Sequence, residues 1–547
     1  EIKSNLIASN KRRSRNFMEE LGDTFRSFFN IKEISAGFVT YNGANNQFEK
    51  VHGYGIKSIL LQKEEQVSCD SVLCPGSYKA LLEDKKYFAV SDVEKYFKMS
   101  EGTAPYKNLK QEGIKSAIFA PIANEDTLLG VLELTSPNKN ELNSVNAQKL
   151  DDIMPYIVTA VLRSKVEEEN LIDAVIQNEC TSVHSSVYWR FQQEAKRFIK
   201  NSLDGGQPTF KEIVFKDVNP LYGQIDIKNS SNARNTAIQR DLMIQLSIIK
   251  DILMRASEYQ NLPIYEELIF RVNNHTDGIK EVLHTNSEQS IFTFVKEEII
   301  PVFDHLKKSN KRLVDEITDY ESQIDMGTDS YYDHRRNYDE SVMQINEKLA
   351  SVIDKRQEEA QGMFPHYFER YKTDGVEHNM YIGDSIVSDD SFDAIYINNL
   401  RLWQLQVMCE MENEFYSNQH VYPIALDVAS MILVFNQPLS IRFRMDEKQF
   451  DVDGTYNARY EVVKKRVDKA NIKGTQERIT QNGKISIVYS QKEDEEEYLQ
   501  YIRFLQSKNV LDETVEVLEL EDLQGVTGLK ALRVDILYHN KDDHKTF

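Results

Sequence analysis

The chain has 547 residues, of which 66 are basic and 87 acidic, giving a formal charge of −21; 28% of residues are charged and 41% hydrophobic. That length predicts about three or four domains. The negative balance argues against nucleic-acid phosphates as a partner, and no stretch approaches the ~18 uninterrupted apolar residues of a membrane helix.

The first residue is Glu1, not methionine, as in a piece of a longer chain. An amphipathic helix is predicted over residues 3–29; its basic run Lys11 to Arg15 reads as a solvated face. "AGFVTYN", Ala36 to Asn42, alternates as a strand, "GANNQ" supplies a turn, and "FEKVHGYGI" answers as an antiparallel partner. Residues 62–110 read as irregular with short helices. "GIKSAIFAPIANEDTLLGVLELTSPN", residues 113–138, is a hairpin broken at Asn124-Glu125-Asp126, and a long helix follows over 143–176.

Helix, hairpin, irregular helical segment, hairpin and long exit helix follow one another within about 160 residues. In this order, with Pro121 and Gly130 in the second hairpin and an asparagine-rich entry to the last helix, residues 10–175 resemble a GAF domain. The resemblance implies a sensory or regulatory role and a small-molecule pocket between the sheet and the 62–110 segment. Phe38, Tyr54, Cys69 and Phe119 are the candidate lining, since such pockets are largely apolar with a few polar groups. Core filling is the competing role for the same side chains. On the exit helix Ile157, Val161, Leu171 and Val175 share a heptad seam interrupted by Ser164 and Glu168, from which a coiled-coil homodimer is expected.

"NSLDGGQPTF", Asn201 to Phe210, reads as a boundary, followed by two short strands about an Asn219-Pro220 turn. From residue 235 to 361 apolar residues recur at helical spacing (Ile238, Leu242, Leu246; Leu313, Ile317, Tyr320; Ile345, Leu349) and predict a bundle of three or more helices. Beyond it, a hairpin about Asp374-Gly375, a helix through Leu400 to Phe415, the alternating strand "LSIRFRM" and later strands and helices define an α+β domain. The expected architecture is therefore α+β and multidomain. It comprises a GAF-like antiparallel sheet domain with flanking helices (1–176), a connector with short strands (177–234), a helical bundle (235–361) and a C-terminal domain with a mainly antiparallel sheet (362–547).

Linear chemistry is sparse. There is no phosphate-binding glycine loop, dinucleotide fingerprint or zinc helix, and no catalytic residue, metal ligand or cofactor is assigned. His184, just past the exit helix, lacks the surroundings of a phosphoacceptor. The four cysteines suit a reducing compartment, hence a cytoplasmic location, with Cys69 and Cys74 as small buried side chains. In the last domain Arg442, Arg444, Arg459, Lys464 and Lys465 form a candidate anion site, with ion pairing to nearby acids as the alternative. That domain also loosely resembles a class III nucleotide cyclase, which implies two carboxylates holding divalent metals; Asp384 and Asp374 are the available pair. A regulatory protein without its own catalysis is thus expected, with a metal-dependent nucleotide enzyme or a pure interaction scaffold as alternatives.

Overall fold

The computed structural model describes residues 17–535 except 44, 52–56, 126, 181, 204–207, 281–282, 285, 389–390, 454–459, 461–462, 464–466, 468–470, 473–484, 512–515, 520–522 and 525–529. The basic run at residues 11–15 and the stretch predicted helical after residue 460 lie wholly or largely outside the described residues. The chain divides into two compact units, Glu1–Thr181 with Gln192–Phe210, and Ser182–Phe191 with Lys211–Phe547.

In the first unit, helix α1 (Phe17–Phe29) precedes a six-stranded antiparallel sheet of order β3-β2-β1-β6-β5-β4. Its strands are β1 (Ser35–Asn42), β2 (Gln47–Lys50), β3 (Gln66–Ser68), β4 (Phe88–Val90), β5 (Ser116–Asn124) and β6 (Thr127–Ser136). The predicted hairpins are β1/β2 and β5/β6. Asn124 pairs with Thr127, and Glu125 takes the left-handed conformation in the turn between them. Gly130 lets β1 approach: a Cβ there would lie 2.2 Å from the Val39 carbonyl oxygen. The edge strands β3 and β4, three residues each, are too short to register as alternation in the sequence.

Both faces of this sheet are covered, which is why β5 and β6 are apolar almost throughout. One face packs Ile118, Ala120, Ile122, Leu132 and Leu134 against α1 and the start of helix α4 (Met154–Cys180). The other, called the inner face here, carries Val39, Ala117, Phe119 and Val131. It is closed by residues 57–111, including helices α2 (Val93–Met99) and α3 (Tyr106–Gln111). Along α4 the buried stripe passes from Ile157 and Ala160 to Ile172 and Ile176. Of the predicted seam, Ile157 is buried, Val161 and Val175 are half-buried and Leu171 is exposed.

In the second unit, β7 (Ile213–Ile227) corrects the sequence reading: the two short strands expected about Asn219-Pro220 are one strand of 15 residues. It pairs with β13 (Leu439–Arg444) as far as Val218 and with β12 (Val428–Val434) from Leu221 onward. Pro220 falls between these two partners, where the ladder on that side needs no N–H from it. The nine-stranded sheet runs β10 (Tyr367–Lys372), β11 (Gly375–Ile382), β7, β12, β16 (Ile485–Tyr489), β19 (Lys530–Asp535), β17 (Glu516–Glu519), with β13 and β14 (Gln449–Asp453) paired off β7. Only β12 and β16 are parallel among its pairings. Two two-stranded sheets stand apart from it, β8 (Ile324–Asp325) with β9 (Ser330–Tyr331) and β15 (Asn471–Ile472) with β18 (Leu523–Gln524). The Asp374-Gly375 hairpin stands as expected.

Five further helices follow β7: α5 (Ser230–Tyr259), α6 (Pro263–Lys280), α7 (Ser287–Phe294), α8 (Ile300–Ser309) and α9 (Val314–Gln323). They pack through Leu246, Ile249, Leu253, Leu268, Phe303 and Ile317 as a helical core. Helices α10 (His334–Met363) and α11 (Ile395–Asn418) lie on one face of the large sheet, over Ile225, Met380, Ile432 and Ile487.

Candidate functional site

The inner face of the first sheet brings together the strands that carry the GAF resemblance and the irregular segment expected to close a pocket. Alternation assigns its residues. Cys69 and Phe119 face inward and are fully buried, packed among Leu60, Leu61, Leu81 and Leu109. Phe38 does not join them. It precedes Val39, and one residue along a strand reverses the side chain, so Phe38 packs with Leu132 toward the α1/α4 face. Tyr54 lies outside the described residues.

One inward group was missed in the sequence. Glu133 sits between Leu132 and Leu134 on β6, a position that reads as solvent-facing if only one face is covered. With both faces covered it is 1% exposed. Its neighbours across the sheet are Gly37 on β1 and Phe119 on β5. The carboxylate accepts from the Ser58 hydroxyl (2.7 Å), the Ile59 amide (2.6 Å) and the Leu60 amide (3.3 Å). Those donors belong to a turn at residues 57–63, closed on itself by the Leu61 amide to Ser58 Oγ and the Gln62 amide to the Ser58 carbonyl. The turn reaches the sheet because position 37 is glycine: a Cβ there would meet the Lys57 carbonyl oxygen at 2.6 Å and Glu133 Oε2 at 2.9 Å. Burial pushes the Glu133 carboxyl up to about 7, outweighing the three hydrogen bonds that favour its anion. The available sequence signal was a lone acid inside the run "LLGVLELTS".

Two cysteines border this face with opposite character. Burial, and then the charge of Asp70, raise the Cys69 thiol to about 12. At Cys74 burial also pushes upward, but hydrogen bonds from the Ser77 hydroxyl and amide and from Tyr106 leave its thiol below the usual range.

In the second unit the candidate anion site is divided. Arg442 faces Glu212 at 3.0 Å, and Arg444 is engaged by Asp446, Glu447 and Asp451; Arg459, Lys464 and Lys465 lie outside the described residues. The two carboxylates a cyclase-like metal site would need flank the eight-residue strand β11, Asp374 before it and Asp384 after it. At ~3.3 Å per residue that strand alone holds them roughly 25 Å apart, too far to share a metal. Among the described residues no group of three or more His, Cys, Asp or Glu side chains could hold a metal ion.

A surface cleft of ≈ 530 Å³ lies between α6 and α7, lined by Arg271, His275, Asn286, Gln289, Ser290, Thr293, Phe294 and Glu298. Arg271 is paired with Glu298 and lies over the Phe294 ring, so the cleft carries little net charge.

The N-terminal region therefore has a GAF-like fold, with the expected order of helix, hairpin, irregular cover, hairpin and exit helix on a single antiparallel sheet. No protein-family model matches the chain, and no curated protein matches it. Among solved structures it is similar to the phycoerythrobilin-bound GAF domain from a cyanobacterial phytochrome, at 14% identity and a TM-score of 0.23, covering 30% of this chain and 95% of that one. The GAF domain of a two-component sensor histidine kinase from Bacillus halodurans is similar at 12% identity and a TM-score of 0.22, covering 28% of this chain and 98% of that one. Free methionine-R-sulfoxide reductase from Neisseria meningitidis, in complex with its substrate, is similar at 11% identity and a TM-score of 0.22, covering 30% and 87%. The second unit is assigned to no family. No helix among the described residues is long and apolar enough to cross a membrane.

Proposed function

We propose that the protein is a sensory or regulatory protein whose GAF-like domain receives a small molecule on the inner face of its sheet. The observation that carries this reading is the composition of that face: an apolar lining, closed by turns and short helices, with one fully buried carboxylate at Glu133. Ligand sites have this character, apolar walls with a few polar groups that fix orientation. Cys69 and Phe119 belong to the lining. Elements held by short turns open at lower cost than the sheet beneath them, so entry runs through residues 57–111.

The protein works as a homodimer through α4. That helix exposes Val166 and Leu171 along a middle stretch where its own domain buries no residue. Ligand binding shifts the population of two arrangements of the paired helices, and the second unit receives the change.

Native mass spectrometry of the freshly purified full chain tests both parts. The expected result is a dimer carrying a small-molecule mass that Phe119→Trp, which fills the lining, diminishes. A bare monomer in wild type, with a spectrum that Phe119→Trp leaves unchanged, would sink the proposal.

A further inference from the structure

The turn at residues 57–63 is joined to the sheet in an unusual way. All three hydrogen bonds received by the buried Glu133 carboxylate come from this turn, and all three donors are neutral. Among the described residues no cation is supplied from any side. β1 presents Gly37 and β5 presents Phe119; Lys57 and Lys63, the cations of the turn, are exposed. The titratable groups that the rest of the inner face contributes, among the described residues, are the thiols of Cys69 and Cys74 and the phenols of Tyr41, Tyr78, Tyr96 and Tyr106. Burial holds Cys69, Tyr41 and Tyr106 protonated, and Cys74 is hydrogen-bonded to Ser77 and Tyr106. None of these groups, and no charge among the described residues, contributes to the titration of Glu133.

We propose that residues 57–63 form a lid over the inner face, latched through Glu133, which stays closed while this carboxyl is protonated and lifts as it ionises. A buried anion without a counter-charge pays a desolvation penalty that neutral donors offset only in part. Water reaches the carboxylate when the turn moves away, and the penalty then disappears. The open state therefore takes up the anion and the closed state the acid. The linkage has a definite sign. The closed-state value of about 7 lies above the ordinary 4.5, so the closed state binds the extra proton and rising pH drives opening. Because Leu60 and Leu61 are inner-face core residues, lifting the turn uncovers the lining directly. The lid regulates the site proposed above and rests on that reading only for its consequence, access of a ligand.

Hydrogen exchange of the full chain, read at the Ile59 and Leu60 amides, tests the lid without any ligand. After correction for the intrinsic pH dependence of exchange, opening is expected to rise about tenfold between pH 6 and pH 8.5. Glu133→Gln, an uncharged isostere, is expected to abolish that rise. Ser58→Ala keeps the carboxylate and removes one donor to its closed anion, so it is expected to increase opening at pH 8.5 more than at pH 6; this covers the case in which Glu133→Gln does not fold. Corrected protection that is independent of pH in wild type, an undiminished tenfold rise in Glu133→Gln, or equal effects of Ser58→Ala at both pH values would each overturn the lid. A lid that fails here leaves the ligand reading standing, and a protein that carries no ligand leaves the lid standing.

Discussion

Glu133 in the first unit and Asp241, one of several buried carboxylates in the second, are held in opposite ways. Asp241 on α5 has no exposed surface and accepts from the His334 and Arg335 amides, at 2.9 and 3.0 Å, and from the Arg335 guanidinium at 3.2 Å. Arg335 reaches on to Glu288, Ser330 and the Tyr331 carbonyl, so one ion pair ties α5 and α10 to the segment around β9 (Ser330–Tyr331). Glu133 is equally buried but receives only neutral donors from a single turn. The first arrangement is a clamp, since each charge satisfies the other and neither is free to leave. The second is conditional, because its occupant changes charge near neutral pH and all its hydrogen bonds come from one turn, itself held by the buried Leu60 and Leu61 and by the Phe38 amide on the Lys57 carbonyl. Burial alone does not make a carboxylate structural or responsive; the presence of a counter-charge decides.

The largest effect expected from this difference is at Asp241. Asp241→Ala leaves the Arg335 cation buried with only the part-exposed Glu288 opposite it. Breaking such a pair costs about 4 kcal/mol, measured as lost exchange protection across α5 and α10. Glu133→Gln at pH 8 instead removes an uncompensated charge and is expected to raise the protection of β5 and β6, by up to about 3 kcal/mol. Equal costs at the two positions would break the comparison.

Acidification separates the units next. In the second unit His378 is fully buried, takes a hydrogen bond from the Gln404 amide at Nε2 and, among the described residues, finds no partner for Nδ1; burial lowers its value to about 3. His366, which accepts from Gln357, is lowered to about 4, chiefly by burial. Both folded values are depressed, so the stability they confer is present above about 6.5 and is lost as pH falls below it. Glu133 has the opposite sign: its folded value is raised, so stability grows as pH falls from about 7 toward 4.5. Between pH 7.5 and 5.5 the sheet around β11 is expected to lose about 3 kcal/mol and the sheet around β6 to gain about 2 kcal/mol. Exchange protection of the two strands at both pH values reads this directly, and parallel shifts would remove the distinction.

The legibility of the two regions in the sequence divides along similar physical lines. Elements with a strong period were visible, among them the β5/β6 hairpin, the Asp374-Gly375 hairpin, the alternating β13 and the helices of the bundle. What failed required knowledge of a partner. In the sequence β7 divides at Pro220 because proline in a central strand is rare, and only the change of partner from β13 to β12 makes room for it. Phe38 reads as a pocket residue because β1 has apolar residues on both faces, and their spacing does not say which face meets the helices. Glu133 was invisible for the same reason, as a polar residue between two leucines looks solvated until both sides of its strand are covered. The site is thus the least legible part, since its meaning depends on residues 57–63, which carry no period.

The smallest effect concerns Gly37, and it isolates the turn from the carboxylate. A Cβ at this position would lie against the Lys57 carbonyl oxygen, which is backbone, so Gly37→Ala must displace the turn rather than rotate a side chain. The expected cost is about 1–2 kcal/mol, typical of added volume in a packed site. The Ile59 and Leu60 amides should lose protection at every pH, while β11 and α5 keep theirs. Glu133 then titrates in a more hydrated environment, so the dependence of turn opening on pH should weaken toward that of an exposed carboxyl. If Gly37→Ala leaves these two amides as protected as in wild type, the close approach at position 37 does not hold the turn, and Glu133 and the burial of Leu60 and Leu61 secure it instead.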